Sequence, residues 1–395
     1  MILDAVGLPL GRFVRKVKRA VFLAREHVAE WMPAGRIRAP SGGGDARRML
    51  ERRLARIARL AQGKVTMTAL HLASGRSVSL DGGVRVPAAS IVKIPIAVAV
   101  LSRVDRGELS LGTRVPIGPE DARPGARALS RASLSEQHSA SIQEIVEAML
   151  IRSDNGASDI ALRIAGGVDA VRACLDKLDV ADFSIDRSIG QLLADLEGVD
   201  SASAHCADEH WRALTSKLPP QVRRAAMDRL LNDTRDTCSA DATVRLLAAI
   251  HSGTALSVES RRLLLATMAR CRTGKHRLKG LLPPGVVVPH KTGSLTSSLD
   301  VRADRPFVSS DAGWIELASN GGTMAIAVFI VGSPHQSPIQ DRIIARLARR
   351  VHDDFASAML APTSANDDVA AHDGLRPPSN NASAPVRPAR HRLDP

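Results

Sequence analysis

Three short segments carry residue types that could do acyl-transfer chemistry: Ser90-Ile91-Val92-Lys93, Ser153-Asp154-Asn155 and Lys291-Thr292-Gly293. Ser90 opens an apolar helix (Ile91, Val92, Ile94, Ile96, Val98, Val100). There it sits beside unsatisfied N–H groups and the positive end of the helix dipole. Lys93, at i+3, falls on the same helical face. An ammonium buried among apolar side chains loses its proton more easily, so Lys93 could be the base a serine hydroxyl needs to attack a carbonyl. The bland alternative is a capping serine and a surface lysine, but a lysine pointing out of so apolar a helix is the weaker account.

Ser153-Asp154-Asn155 ends one helix and begins the next through Asn155-Gly156. Such a loop could present Ser153 and Asn155 across a cleft; alone, the same residues fit an ordinary helix cap better. Lys291-Thr292-Gly293-Ser294 follows the apolar run Val286-Val287-Val288. Lys291 and Thr292 could bind a carboxylate, and Gly293 lets a ligand carbonyl approach the strand backbone. The N–H groups of Ser90 and Ser294 could receive an oxyanion. The plain reading of this segment is a strand end with a turn.

The elements that must position these residues follow from periodicity. A helix is expected at 45–61, with Leu50, Leu54, Ile57 and Leu60 on one stripe. Strands are expected at 65–72, 76–80, 286–290, 312–318 and 323–331, the last two joined by Asn320-Gly321. Ser141 with Glu144 makes a capping box, Gly166-Gly167 can stop the helix of 157–165, and a final helix runs over 338–359. The order predicts an α+β fold. A five-stranded antiparallel sheet is flanked by N- and C-terminal helices, with an all-α part inserted between its halves and a cleft where the two meet. The expected organisation is a basic helix and linker at 1–44, the main domain at 45–360 and a disordered tail at 361–395. Within the main domain, 45–89 and 281–360 form the sheet part and 90–280 the helical part.

Of the net charge of +13, residues 1–60 hold fourteen Arg and Lys against five acids, so the remainder is nearly neutral for its size. Charge therefore gives no reason to expect a nucleic-acid binder. Residues 12–31 place Val14, Val17, Val21, Val28 and Trp31 on one face among basic residues. They read equally as a membrane-surface helix or as an unstructured leader. Met1–Leu10 is apolar, but the charges follow it, which reverses the order of a secretory signal. The four cysteines (Cys174, Cys206, Cys238, Cys271) form no C-x-x-C pair, and three lie in apolar helical patterns, as core thiols do. His205-Cys206-Ala207-Asp208-Glu209-His210 gathers metal-ligand types but matches no zinc-hydrolase spacing. There is no tyrosine, which excludes a Tyr-x-Asn site.

Taken together, the three motifs resemble those of class A β-lactamases and related penicillin-binding serine hydrolases. The likeness spans about residues 50–355. Val86–Pro95 looks like that family's nucleophile helix, and Arg272–Arg277 like the segment whose Arg, here Arg277, assists carboxylate binding. Asp186-Arg187 and Arg235-Asp236-Thr237 look like the start and end of its Ω-loop. The resemblance implies Ser90 as nucleophile, Lys93 as its base, Ser153 as proton donor to the leaving nitrogen with help from Lys291, and Asn155, Thr292, Gly293, Ser294 and Arg277 as substrate-binding residues. It implies no cofactor, no metal and no nucleic-acid partner, a monomer, and work in the periplasm or otherwise outside the cytoplasm.

One departure bears on turnover. Where the family has the Glu that activates the deacylating water, this chain has Ile189, and Leu193 replaces a nearby Asn. The loop is also roughly thirty residues longer than usual, running to Asp236; Asp195, Glu197 and Asp208 are the acids within it that could substitute. Three readings follow: a β-lactamase with slow deacylation, a DD-peptidase- or esterase-like hydrolase of peptidoglycan-like acyl groups, and a β-lactam-binding sensor that stays acylated.

Overall fold

A computed structural model of the chain describes residues 44–125, 129, 138–206, 208–300, 304–317 and 321–360. The basic segment at 12–31, the tail from 361 and Asn320 of the expected hairpin lie outside them.

Helix α1 (Gly44–Ala58) buries Leu50 and Leu54, then tightens into a 3₁₀ turn (Arg59–Ala61) that rotates Leu60 out to solvent, off the stripe expected for it. Strands β1 (Lys64–His71) and β2 (Ser77–Leu80) follow, then the short β3 (Val86–Pro87), a 3₁₀ turn (Ala89–Val92) and α2 (Lys93–Asp105). A two-stranded piece, β4 (Arg114–Ile117) with β5 (His138–Ser141), leads into α3 (Ile142–Ile151), α4 (Asn155–Ala165) and α5 (Gly167–Lys177). Ser141 and Glu144 cap α3 reciprocally, and Gly166, at φ +103°, ends α4. The long loop carries α6 (Ile189–Glu197), α7 (Asp208–Ser216) and α8 (Pro220–Leu231). It returns as β6 (Thr237–Cys238), which pairs with β3; α9 (Ala240–Ser252) and α10 (Val258–Ala269) complete the helical part. The sheet resumes with β7 (His290–Leu295), β8 (Val308–Glu316) and β9 (Thr323–Val331), and α11 (Ser337–Leu360) closes the described chain.

All five main strands are antiparallel, in the order β2-β1-β9-β8-β7, which makes the fold α+β. The two faces of the sheet bury different cores. Met67, Ile315, Ile326, Val328 and Ile330 pack on α1 and α11; Ala312, Trp314, Ala325, Ala327 and Phe329 pack on the helical part. This is the period-two alternation of strands buried on both faces. The strand expected at 286–290 instead begins at His290. Pro289 has no N–H to give β8, so the regular ladder starts at His290, although Pro289 O and Val287 O still accept from Trp314 N (2.9 Å) and Glu316 N (3.4 Å). The lysine motif therefore lies inside an edge strand rather than after one.

Candidate active site

Ser90 lies in the turn between β3 and α2. Pairing of β3 with β6 and the Ala88 N–H bond to Asp236 O (2.9 Å) hold the approach to this turn. Ala89 adopts φ +49°, a left-handed conformation costly for a residue with a side chain and one that clusters at functional sites. Lys93, one turn on, is fully buried at the start of α2. Its Nζ donates to Ser153 O (2.8 Å), Asn155 Oδ1 (2.8 Å) and Ser153 Oγ (3.0 Å). Three acceptors match the three hydrogens of an ammonium.

The α3–α4 loop brings Ser153 to this lysine. Ser153 is left-handed at φ +59°, which turns its hydroxyl out of the helix path. Asp154 caps α4 by accepting from Ala157 N (2.9 Å), and its second oxygen accepts from Leu129 N (3.2 Å). Asp154 thus makes the cap, while its neighbours Ser153 and Asn155 both bond to Lys93. Asn155 is oriented from its other end by donating to Pro124 O (2.6 Å).

Lys291, on β7, completes the cluster. It is fully buried, and its Nζ donates to Ser153 Oγ (2.9 Å) and Thr292 O (2.6 Å). Ser153 Oγ therefore lies between two amines. Thr292 is hydrogen-bonded to Thr273 (2.5 Å). Gly293 faces the Ser90 turn: a Cβ there would lie 3.1 Å from Ala89 Cβ and 3.2 Å from Ser90 N. Arg277 is buried behind the strand. It donates to Asp341 (2.7 Å), Gly293 O (2.8 Å), Ser310 O (2.8 Å) and Ser294 Oγ (2.8 Å), which uses four of its five donors. The nine residues singled out in the sequence thus converge on the junction of sheet and helical part.

Burial, and next the charge of Lys291, holds Lys93 well below the ordinary lysine range, while Asp154 and Asp159 pull the other way. Burial likewise brings Lys291 down to about 8, against the opposing pull of Cys271 and Asp311.

The long loop is closed by Arg187, whose Nε meets Asp236 Oδ2 at 2.5 Å. Ile189 is buried as the first residue of α6, where its N–H and that of Gly190 bond to Asp159 (2.6 and 3.1 Å). Arg123 holds the same carboxylate at 2.7 Å. Asp195 pairs with Arg187 (2.5 Å) and Arg235 (3.5 Å). Glu197 is buried and accepts from Ser298 N (2.7 Å) and Oγ (2.5 Å), tying α6 to the segment after β7. Leu192 and Leu196 of α6 pack with Ala89, Leu295, Phe307 and Val308 beside the Ser90 turn. Sequence reasoning missed Asp159, Arg123 and Thr273, which are remote in the chain, and a buried pair beside Lys291, His290 with Asp311. In the His205–His210 stretch, His205 Nδ1 lies 2.9 Å from Glu120 O. Among the described residues no group of three or more acids, His or Cys is arranged to hold a metal, and no helix is long and apolar enough to cross a membrane.

Residues 49–355 match the model of the β-lactamase enzyme family. The chain is 28% identical over 273 residues to β-lactamase VEB-1 of Pseudomonas aeruginosa, covering 69% of this chain and 79% of that one. It is 26% identical over 281 residues to the extended-spectrum β-lactamase PER-1 of the same organism (71% and 78%). Among solved structures, a β-lactamase from Chitinophaga pinensis aligns with a TM-score of 0.63 at 28% identity, covering 77% of this chain and 98% of that one. The TLA-3 extended-spectrum β-lactamase aligns with 0.64 at 26% (78% and 99%). With a sheet, an inserted helical part and a lysine–serine–lysine cluster at their junction, this chain belongs to the class A β-lactamase family, whose members are hydrolases acting on β-lactams.

Proposed function

We propose that the chain is an active-site serine β-lactamase that is acylated on Ser90 and deacylates slowly. The observation that carries this reading is the Ser153 hydroxyl set between two buried amines, 3.0 Å from Lys93 Nζ and 2.9 Å from Lys291 Nζ. Once uncharged, Lys93 gives up one of its three donations, and the freed lone pair takes the Ser90 proton as Ser90 Oγ bonds to the lactam carbonyl carbon. The N–H groups of Ser90 and Ser294 receive the oxyanion; β7 is an edge strand, so alternate N–H groups along it face away from β8. As the carbon–nitrogen bond breaks, the leaving nitrogen takes the Ser153 proton, which the Lys93 ammonium replaces. The substrate carboxylate rests on Lys291 and Thr292, reached by the remaining N–H of Arg277, and Asn155 and Gly293 line its acyl side.

Hydrolysis of the ester needs a base for water. Ile189 cannot supply one, Glu197 is bonded to Ser298, and Asp195 to two arginines. The base is then Lys93 or Asp208, and deacylation is the slow step. The same observation favours a second reading, a penicillin-binding hydrolase or sensor that keeps its acyl group.

Intact mass followed over time after adding benzylpenicillin separates them, with Ser90→Ala as control. The expected result is an adduct that forms quickly on the parent protein and clears over minutes to hours with release of hydrolysed drug. A lasting adduct would select the sensor. No adduct, or one that survives Ser90→Ala, would overturn the assignment.

A further inference from the structure

The positive charge of the chain gathers on a layer of the fold that the acylation chemistry does not use. From Gly44 to Arg59 there are six arginines against two acids, Asp45 and Glu51. Helix α1 turns Leu50, Leu54 and the half-buried Ile57 toward the sheet. Arg52, Arg56 and Arg59 repeat that i, i+4, i+7 spacing two residues on, about 200° round the helix, and all three are exposed. Helix α11 is built alike: Ile343, Ile344, Leu347 and Val351 pack inward, while Ile339, Arg342 and Arg346 are exposed at i, i+3 and i+7. The two helices meet at one corner, where Ser333 Oγ donates to Ala61 O (2.7 Å) and His335 Nε2 lies 3.1 Å from Leu60 O. Ion pairs engage other arginines of this layer: Arg47 with Glu51, Arg48 with Asp45, Arg349 with Asp353 and Arg350 with Asp354. Among the described residues, Arg52, Arg56, Arg59, Arg342 and Arg346 have no ion pair. Large apolar side chains are exposed on the same layer. The described residues expose six; Met49, Leu60 and Ile339 are on these helices or the turn between α1 and β1, and Leu281 lies beside α11, its carbonyl accepting from Arg349 (3.0 Å).

We propose that the outer layer of α1 and α11 is a docking face for the anionic surface of a lipid bilayer. The five arginines without ion pairs meet headgroup phosphates, whose oxygens suit the planar guanidinium fork. Met49, Leu60, Leu281 and Ile339 enter the boundary between headgroups and acyl chains. Charge alone would suit any polyanion, nucleic acid included. The apolar side chains set among the arginines decide for the bilayer, because a duplex offers phosphates but no apolar medium to receive them, whereas basic and apolar groups together are what a membrane interface holds. The chain that leads into α1 has the same sign: residues 1–43 hold eight Arg and Lys against three acids and join the helix at Gly44. The position of the layer leaves the site free. Helices α1 and α11 pack on one face of the sheet and the helical part on the other, so the sheet stands between this layer and the junction that holds Lys93, Ser153 and Lys291. The proposal does not depend on what is acylated at Ser90.

The test is co-sedimentation of the full chain with vesicles of phosphatidylcholine and phosphatidylglycerol in a roughly three-to-one mixture, against vesicles of phosphatidylcholine alone. The parent should pellet with the anionic vesicles, less so as salt is raised, and stay in solution with the neutral ones. The triple variant Arg52→Gln/Arg56→Gln/Arg346→Gln should bind the anionic vesicles about a hundredfold more weakly, at about fivefold for each charge lost. The matching Arg→Lys triple keeps the charges and should bind within about fivefold of the parent. Met49→Ser/Leu60→Ser keeps every charge; it should weaken vesicle binding by about tenfold and leave binding to a DNA duplex unchanged. Every altered side chain is exposed, so all the variants should melt in urea with the parent. A parent that fails to pellet with anionic vesicles would overturn the proposal. Parent-like binding by the Arg→Gln triple would place the contact in residues 1–43 and also overturn it. Undiminished vesicle binding by Met49→Ser/Leu60→Ser, with tighter binding of the duplex than of vesicles, would make the layer a polyanion face and not a bilayer face.

Discussion

At the residue scale, the site depends on two backbone conformations that side chains resist. Ala89 and Ser153, both left-handed, set the Ser90 turn and the Ser153 hydroxyl at the junction of sheet and helical part. Gly293 is the third such position, for reasons of space rather than angle. A methyl there would lie 2.4 Å from Ser310 Oγ, which can rotate, but also 3.1 Å from Ala89 Cβ and 3.2 Å from Ser90 N, which cannot. Gly293→Ala should therefore push β7 off the Ser90 turn. We expect kcat/KM for benzylpenicillin to fall roughly tenfold or more, with a stability loss of about 1–3 kcal/mol. Steady-state kinetics and urea melts together check this; unchanged kinetics would mean that β7 does not need to approach Ser90 this closely.

At the scale of elements, the long loop behaves as packed structure. Helix α6 is pinned at its first turn by Asp159 and at its last by the Glu197–Ser298 bonds, and its leucines lie under Ala89. Ile189, where the resemblance to class A β-lactamases leads one to expect a Glu, packs in the core of the helical part. Ile189→Glu would set a carboxylate in apolar surroundings beside Asp159, with no new cation to receive it. The expected outcome is a loss of stability on the order of 2–4 kcal/mol and no faster clearance of the penicilloyl adduct. A stable variant that clears the adduct faster would show that the first turn of α6 faces the ester after all.

At the scale of the molecule, the sequence made most of the architecture legible, because its signals are local. The strands expected at 312–318 and 323–331 marked the second half of β8, which starts four residues earlier at Val308, and the whole of β9; the Ser141–Glu144 box marked the start of α3, and Gly166 the end of α4. What was not legible depends on register and on distant pairing. Nothing in His290 or Asp311 as sequence says that they meet; that follows from Thr292 standing opposite Asp311. The start of β7 was misjudged because three apolar valines outweighed the proline that follows them.

The same molecule-scale view says what the site costs the fold. Two lysines are buried side by side, and each would be less penalised uncharged. The folded Lys291 titrates at about 8, below its ordinary 10.5. Between those values the unfolded chain binds the extra proton, so stability rises with pH across that window. Below about 8 both states hold the proton, and the penalty is fully present, on the order of 3 kcal/mol. Lys291→Met keeps the length of the side chain and removes the charge. It should abolish acylation, make the protein more stable than the parent at pH 7 by about 1–3 kcal/mol, and flatten the rise in stability between pH 8 and 10. Urea melts of both proteins at pH 7, 8, 9 and 10 measure this. His290 works against the parent's rise, since its raised value near 9 means stability is lost as it deprotonates; the comparison between the two proteins, not the slope of either, therefore carries the answer. Equal stability at pH 7 with parallel slopes would mean that Lys291 is already compensated in the free protein, and that its charge is held there at no expense to the fold.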